Sequence, residues 1–183
     1  MRTREILKGI LLLAGTILSF AACNKDDDGP VLDFNITVPD SWTYYPVSSG
    51  SLVYYAFSPL ENQNDSISED VLVTKDDIMG NDLNQFCTAV IASYDNDTSF
   101  HQLYLSADTI INEATSRKLI HLQTIPTTIP GSNDSIYLEA KITKYLFVRK
   151  NYGYIVSMNA LVDTYPTYKP IFETIISSFT FKN

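Results

Sequence analysis

Residues 136–161, IYLEAKITKYLFVRKNYGYIVSMNAL, decide the fold. Two runs dense in β-branched and aromatic side chains, 136–148 and 154–161, flank Asn151-Tyr152-Gly153, a turn short enough for a hairpin. The two strands therefore pair antiparallel. Toward the N-terminus the same composition recurs in residues 100–105, 109–111 and 114–123, with Asn112-Glu113 as a second tight turn. Residues 126–134 read as a longer polar loop bent at Pro130-Gly131. Toward the C-terminus, Pro170 is placed to open a final helix whose Ile171, Phe172, Ile175, Ile176 and Phe179 form one apolar face, and residues 179–181 add a short strand.

The first half carries fewer strands and one helix. Phe34, Ile36 and Val38 alternate with Asn35 and Thr37 and stop at Pro39-Asp40, and Trp42 follows at once. Residues 52–57 form a second strand, broken by Pro59 before the polar loop 61–69, and residues 71–74 form a third. Beyond Gly80, the positions Leu83, Phe86, Cys87, Val90, Ile91 and Tyr94 have helical spacing, and Asn81 or Asp82 caps that helix. An early and a late helix framing an antiparallel sheet make an α+β sandwich. Residues 32–183 hold it as a single domain, with no internal repeat.

Ahead of this domain stands a leader. Arg2, Arg4 and Lys8 precede an apolar run from Gly9 to Phe20, and Ala21-Ala22-Cys23 follows. The run is about a dozen residues, short of the roughly 20 that span a bilayer. This segment resembles the lipobox of bacterial lipoproteins, which implies that residues 1–22 are a signal peptide and that Cys23 becomes a lipid-bearing, palmitate-type N-terminus. An ordinary secretory signal with an incidental cysteine is the other reading. Residues 23–31, with Asn24-Lys25-Asp26-Asp27-Asp28, form an acidic linker. That linker is similar to the signal behind the cysteine of surface-displayed lipoproteins of the Bacteroidota, which implies an outer-membrane location with exposure at the cell surface.

Charge excludes one class of partner. The chain has 13 Lys and Arg against 21 Asp and Glu, a net charge of −8. The leader's +2, from Arg2, Arg4 and Lys8 against Glu5, leaves −10 on the rest. Basic residues adjoin only at Arg117-Lys118 and Arg149-Lys150, too few to track a phosphate backbone, so nucleic acid is not an expected partner.

A family resemblance enters with two stretches. Phe34 to Trp42, FNITVPDSW, is similar to the opening strand and turn of the PsbP-like superfamily, which includes extrinsic photosystem subunits and a Ran-binding import factor. Tyr154 to Ala160, then Tyr168, Pro170 and Phe172, then Ser177-Ser178-Phe179-Thr180-Phe181, resemble that fold's closing strand, helix and Ser-Phe ending. The resemblance implies a PsbP-like sandwich and a binding or assembly role. Its motifs are apolar and structural, and they carry over no functional residue.

Catalytic motifs are sparse. Cys87 sits on the helix's apolar face and reads as a small buried residue rather than a nucleophile. His101 and His121 are the two histidines and lie in strands, so a His-rich metal site is excluded. Asp95-Asn96-Asp97 lacks the glycine and later glutamate of a calcium loop and reads as a helix-ending turn. With seven glycines and no Gly-x-Ser-x-Gly, neither a phosphate-cradling loop nor a nucleophile elbow is present. No cofactor and no metal is expected. Two surface features remain. Trp42, Tyr44 and Tyr45, near Tyr54 and Tyr55, form either core or an exposed platform for a sugar ring or a protein. Asp65-Ser66-Ile67 and Asp134-Ser135-Ile136 are similar to the O-glycosylation pattern of exported Bacteroidota proteins, with Ser66 and Ser135 as acceptors, whereas Thr109 in a third copy falls in a strand.

The expectation is thus a membrane-anchored lipoprotein, not an enzyme, that binds a protein or envelope component. The alternative is a glycan-binding or glycan-processing surface lipoprotein.

Overall fold

The computed structural model describes residues 32–45, 47, 50–61, 67–97, 99–128 and 135–183. Its elements in order are β1 (Phe34–Asn35), β2 (Thr43–Tyr45), β3 (Leu52–Phe57), β4 (Asp70–Asp77), α1 (Leu83–Ser93), β5 (Phe100–Ile111), β6 (Ala114–Thr128), β7 (Ser135–Arg149), β8 (Tyr152–Leu161), α2 (Tyr165–Ser178) and β9 (Thr180–Phe181). Seven strands form one sheet in the order β2-β3-β4-β8-β7-β6-β5, every neighbouring pair antiparallel. Strands β1 and β9 pair separately, so the two ends of the domain close on each other. Helix α1 carries the chain from β4, inside the sheet, to β5 at its edge, and packs on β6 and β7. Helix α2 follows β8 and covers the opposite face. The result is the α+β antiparallel sandwich that the sequence implies.

Strands β7 and β8 pair in continuous register from Ala140 opposite Leu161 to Arg149 opposite Tyr152. The hairpin turn is therefore Lys150-Asn151, just ahead of the expected one, with Lys150 at φ 55°. Gly153 is not a turn residue. It is buried inside β8, and a Cβ there would stand 2.6 Å from Phe86 Cζ and 2.8 Å from Ile78 Cγ2. The glycine lets α1 approach the sheet.

Strand β1 stops at Asn35 rather than Val38, β4 is longer than the expected 71–74, and 100–105 and 109–111 join into the single β5. Two further elements begin or end elsewhere than the sequence suggests. Strand β6 runs through Pro126 to Thr128, although Pro126 read as the start of a loop. Thr124 donates its amide to Ser99 O at 2.8 Å on the β5 side, so Pro126, two residues on, faces the same edge beyond the start of β5. A missing N–H costs nothing there. Helix α2 starts at Tyr165, five residues before Pro170, and holds Pro166 in its first turn and Pro170 in its interior. Both prolines face solvent, where water satisfies the carbonyl left without an amide, while Tyr165 and Tyr168 are buried against the sheet. Helix α1 begins as read: the Asp82 carboxylate accepts from Gln85 N at 2.9 Å and the Gln85 side chain accepts from Asp82 N at 3.0 Å.

On the α2 face the core is aromatic. Phe34, Trp42, Tyr54, Phe147, Tyr154, Tyr168, Phe172 and Phe179 are buried together with Val71, Val73, Val156 and Met158. Phe147 and Phe179 stack at 4.9 Å between centroids, and Trp42 meets Phe172 edge-on at 6.4 Å. The β5–β6 turn, with Asn112 and Glu113 both at positive φ, clamps the end of α2, because the Asn112 amide donates to Ser177 O at 2.7 Å and Phe179 O at 2.9 Å. Glu69 is buried at the other end of the helix, where its carboxylate accepts from Ser58 Oγ at 3.1 Å and Thr164 Oγ1 at 2.5 Å. An anion beside the first turn of α2 also suits the helix dipole.

Candidate functional site

Antiparallel register lines up side chains across strands, and directly opposed residues share a face. One row on the α1 face therefore runs Thr43, Phe57, Asp70, Asn159, Ile142, His121 across β2, β3, β4, β8, β7 and β6. The adjacent row runs Tyr45, Tyr55, Leu72, Ser157, Lys144, Leu119. Helix α1 seals only part of this face, where Phe86 and Cys87 pack on Leu119 and Leu146. Beside it the sheet is open as a cleft of ≈ 290 Å³, whose floor includes Asp70, Leu72, Ile142, Lys144, Ser157 and Asn159.

Two charged groups of opposite sign sit in this floor with separate partners. Asn159 Nδ2 donates to the Asp70 carboxylate, and Ser157 Oγ donates to Asn159 Oδ1 at 3.1 Å. Burial pushes the Asp70 carboxyl up to about 7, with the Asn159 bond opposing and the Glu69 charge reinforcing the rise. Lys144 Nζ donates to Tyr94 Oη at 3.2 Å, and burial brings it down to about 8 against the pull of Asp97. Two strand spacings, roughly 10 Å, separate the two strands that carry these groups. Near neutral pH the cleft therefore presents a carboxyl poised between acid and carboxylate at one end and an ammonium at the other. Tyr55 and Phe57, with rings 5.6 Å apart, stand on β3 beside the Asp70 end, Phe57 directly opposite Asp70.

At the Lys144 end, Tyr94 follows α1 in a single 3-10 turn, Tyr94–Asn96, and its ring lies 4.8 Å from that of His121. His121 is buried and held down to about 4 by burial first and the Lys144 charge second, against a hydrogen bond with Gln123. It is thus a neutral imidazole that supports the cleft wall. The Asp95-Asn96-Asp97 stretch ends the helix as a turn, with Asp97 Oδ1 accepting from Ser99 N at 2.9 Å. Among the described residues no group of three His, Cys, Asp or Glu is placed to hold a metal ion.

The expected aromatic platform does not form as one surface. Trp42 is 8% exposed and packed on Tyr168 and Phe172, which removes it from any exposed platform. Tyr44 and Tyr45 are exposed, but strand alternation sends them to opposite faces of β2. Tyr44 stacks on Tyr54 at 5.1 Å on the α2 side, and Tyr45 extends the cleft row beyond Tyr55. Cys87 is buried at 1% exposure and its thiol is pushed up to about 11 by burial, the state of a packing residue. His101 lies in β5, on the sheet edge. Residues 1–31, including the leader, Cys23 and the acidic linker, lie outside the described residues, as does Ser66. Ser135 opens β7. No helix among the described residues is long and apolar enough to cross a membrane.

Asp70, Lys144, Ser157 and Asn159 were not singled out from the sequence. The signal for two of them is parity, since Ser157 and Asn159 are polar at alternate positions of the otherwise largely apolar β8, whereas Lys144 stands among other polar residues of β7.

No family model and no curated protein sequence matches the chain. Solved structures do. LpqN of Mycobacterium tuberculosis, described as involved in cell envelope biogenesis, superposes with a TM-score of 0.55 at 15% identity, over 82% of this chain and 83% of that one. The cyanobacterial PsbP (CyanoP) of Synechocystis sp. PCC 6803 gives 0.50 at 12% identity, over 88% of this chain and 98% of that one. The Ran-binding protein Mog1p of Saccharomyces cerevisiae gives 0.50 at 10% identity, over 81% and 90%. The chain has a PsbP-like fold.

Proposed function

We propose that this chain is a lipid-anchored protein of the bacterial envelope, carried on Cys23 at the outer membrane and displayed at the cell surface. On this reading it acts by binding a protein or envelope component and not by catalysis. The observation that carries the binding role is the α1-face cleft: a concave, partly apolar floor with one acid and one ammonium held apart on rigid strands. A carboxyl and an amine with separate partners bind a ligand that brings both a donor or cation and an anion, as a polypeptide or a cell-wall fragment does. The leader and linker support the address, and a solved structure of the same fold described as an envelope-biogenesis protein agrees with it.

Photo-crosslinking of the native lipidated protein tests the binding role. A reactive group at Thr74, which lines the cleft, should trap a partner, and the Lys144→Met variant should lose it. The same group at Glu173, on the exposed side of α2, should trap nothing. Equal trapping at both positions rules the cleft out. Metabolic acyl labelling that survives Cys23→Ala rejects the anchor, and full protection from protease on intact cells rejects surface display.

One observation favours the glycan-processing alternative, namely a carboxyl near neutrality in a cleft, the state a general acid requires. A second catalytic carboxylate is not beside it, since Glu69 turns to the α2 side and is held by Ser58 and Thr164. Glycan hydrolysis abolished by Asp70→Asn would favour that alternative.

A further inference from the structure

We propose that the recess where the described chain begins is a contact for anionic membrane headgroups; the proposal rests on reading Cys23 as a lipid anchor. The recess has a volume of ≈ 330 Å³ and is lined in part by Leu32, Asp33, Arg149, Lys150, Tyr152 and Lys182. Lys75 adjoins it, with Nζ 4.4 Å from the centre of the Tyr152 ring. Asp33 is already matched, since Lys75 Nζ approaches its Oδ2 at 2.6 Å and Tyr154 Oη donates to the same oxygen at 2.6 Å. Arg149, Lys150 and Lys182 therefore remain as positive charge facing outward. Arg149 lies over the Phe181 ring at 4.9 Å, which fixes the stem of its guanidinium, and Lys150 and Lys182 are exposed. The nearest further acid in the strand register is Asp77, opposite Tyr152, whose carboxylate accepts from Met79 N at 2.8 Å.

This concentration runs against the composition. The net charge of the chain is −8, and residues 32–183 hold nine Lys and Arg, of which four meet at this corner. Leu32 lines the recess, so the chain leading to Cys23 enters here. Residues 23–31, even fully extended, reach at most about 30 Å. An anchored Cys23 thus holds this corner near the bilayer, where screening leaves attraction over about a Debye length. An acidic domain on so short a tether turns its basic corner toward an anionic surface.

The test uses the chain from Asn24 onward, which keeps every strand and helix, with vesicles of phosphatidylcholine alone or mixed with phosphatidylglycerol. The chain should bind the mixed vesicles only, and salt should release it. Replacing Arg149, Lys150 and Lys182 by Gln should weaken binding about fivefold per cation, on the order of 100-fold together. Because Arg149 also packs on Phe181, the double variant Lys150→Gln, Lys182→Gln is the one free of that contact, and it should lose on the order of 30-fold. Equal binding to both vesicles, or binding indifferent to these changes, overturns the proposal. If the acidic linker filled the recess, the chain would ignore both vesicles until Asp26, Asp27 and Asp28 became Asn, and that outcome overturns it too. Acyl labelling of Cys23 in cells is read separately, so an unlabelled cysteine removes the anchor without altering the vesicle result.

Discussion

The two faces of the seven-stranded sheet are made from the same strands and serve opposite ends. On the α2 side, side chains of β3, β4, β7 and β8 meet β1, Trp42 and a 14-residue helix in an aromatic core. On the α1 side an 11-residue helix covers a smaller cluster, and next to it the floor carries Asp70, Lys144, Ser157 and Asn159. Each of those polar residues sits one position from an α2-face core residue: Val71 beside Asp70, Tyr145 beside Lys144, Val156 and Met158 around Ser157. Period-two alternation lets one strand supply stability from one side and chemistry from the other. The core face holds the polar face in place.

The sharpest way to break this comparison is Phe172→Ala on the α2 side. Phe172 is buried against Trp42, Tyr165 and Tyr168, so its loss should cost about 3–5 kcal/mol in urea unfolding. A cost under about 1 kcal/mol would mean that the aromatic core does not carry the fold. Next comes Gly153→Ala, which forces a methyl into the Phe86 ring and Ile78. It should cost about 1–3 kcal/mol and loosen α1 first, seen as faster amide exchange in residues 83–93.

A smaller effect, with a distinctive sign, is expected at Asp70. Its folded pKa stands above its ordinary value of 3.8, so the native state holds the proton more tightly than the unfolded chain. Stability from this group is therefore full at low pH and falls as pH rises from about 4 to about 7. Asp70→Asn keeps an acceptor for Asn159 and removes the titration. It should leave stability at pH near 4 little changed and raise it above pH 7 by about 1–2 kcal/mol, less than the full shift because the cleft mouth is open to water. An unaltered pH profile would place Asp70 in bulk solvent. The smallest expected effect is Tyr45→Ala. This residue is 54% exposed, so its stability should move by less than about 0.5 kcal/mol, while trapping of a partner by the probe at Thr74 should fall slightly. A large loss of stability there would put Tyr45 in the core.

Local signals served best where they were purely local. The α1 cap, the apolar spacing from Leu83 to Tyr94 and the pairing of the long strands 136–148 and 154–161 all stand in the structure. They failed where a distant element intervened. Gly153 looked like a turn glycine because the Phe86 ring that needs it lies far away in sequence. Pro170 looked like a helix start because the burial of Tyr165 and Tyr168, which pulls the helix back across it, is a tertiary effect. Trp42, Tyr44 and Tyr45 looked like one cluster because adjacency in sequence hides that neighbours on a strand face opposite ways. The cleft was the least legible feature, since Asp70, Lys144 and Asn159 come from three strands whose register only the folded sheet creates.

By itself the sequence determined the α+β class, the antiparallel hairpins and the two helices, because hydrophobic period and turn chemistry are properties of neighbouring residues. It also carries the basic and apolar run of residues 2–20 followed by Ala21-Ala22-Cys23, a linear pattern that needs no fold to be read. Only the tertiary structure decided which aromatic residues are core, which glycine is a packing site and which charges share a cleft or a corner. Those are facts about residues remote in the chain, and burial and register exist only once the sheet has formed.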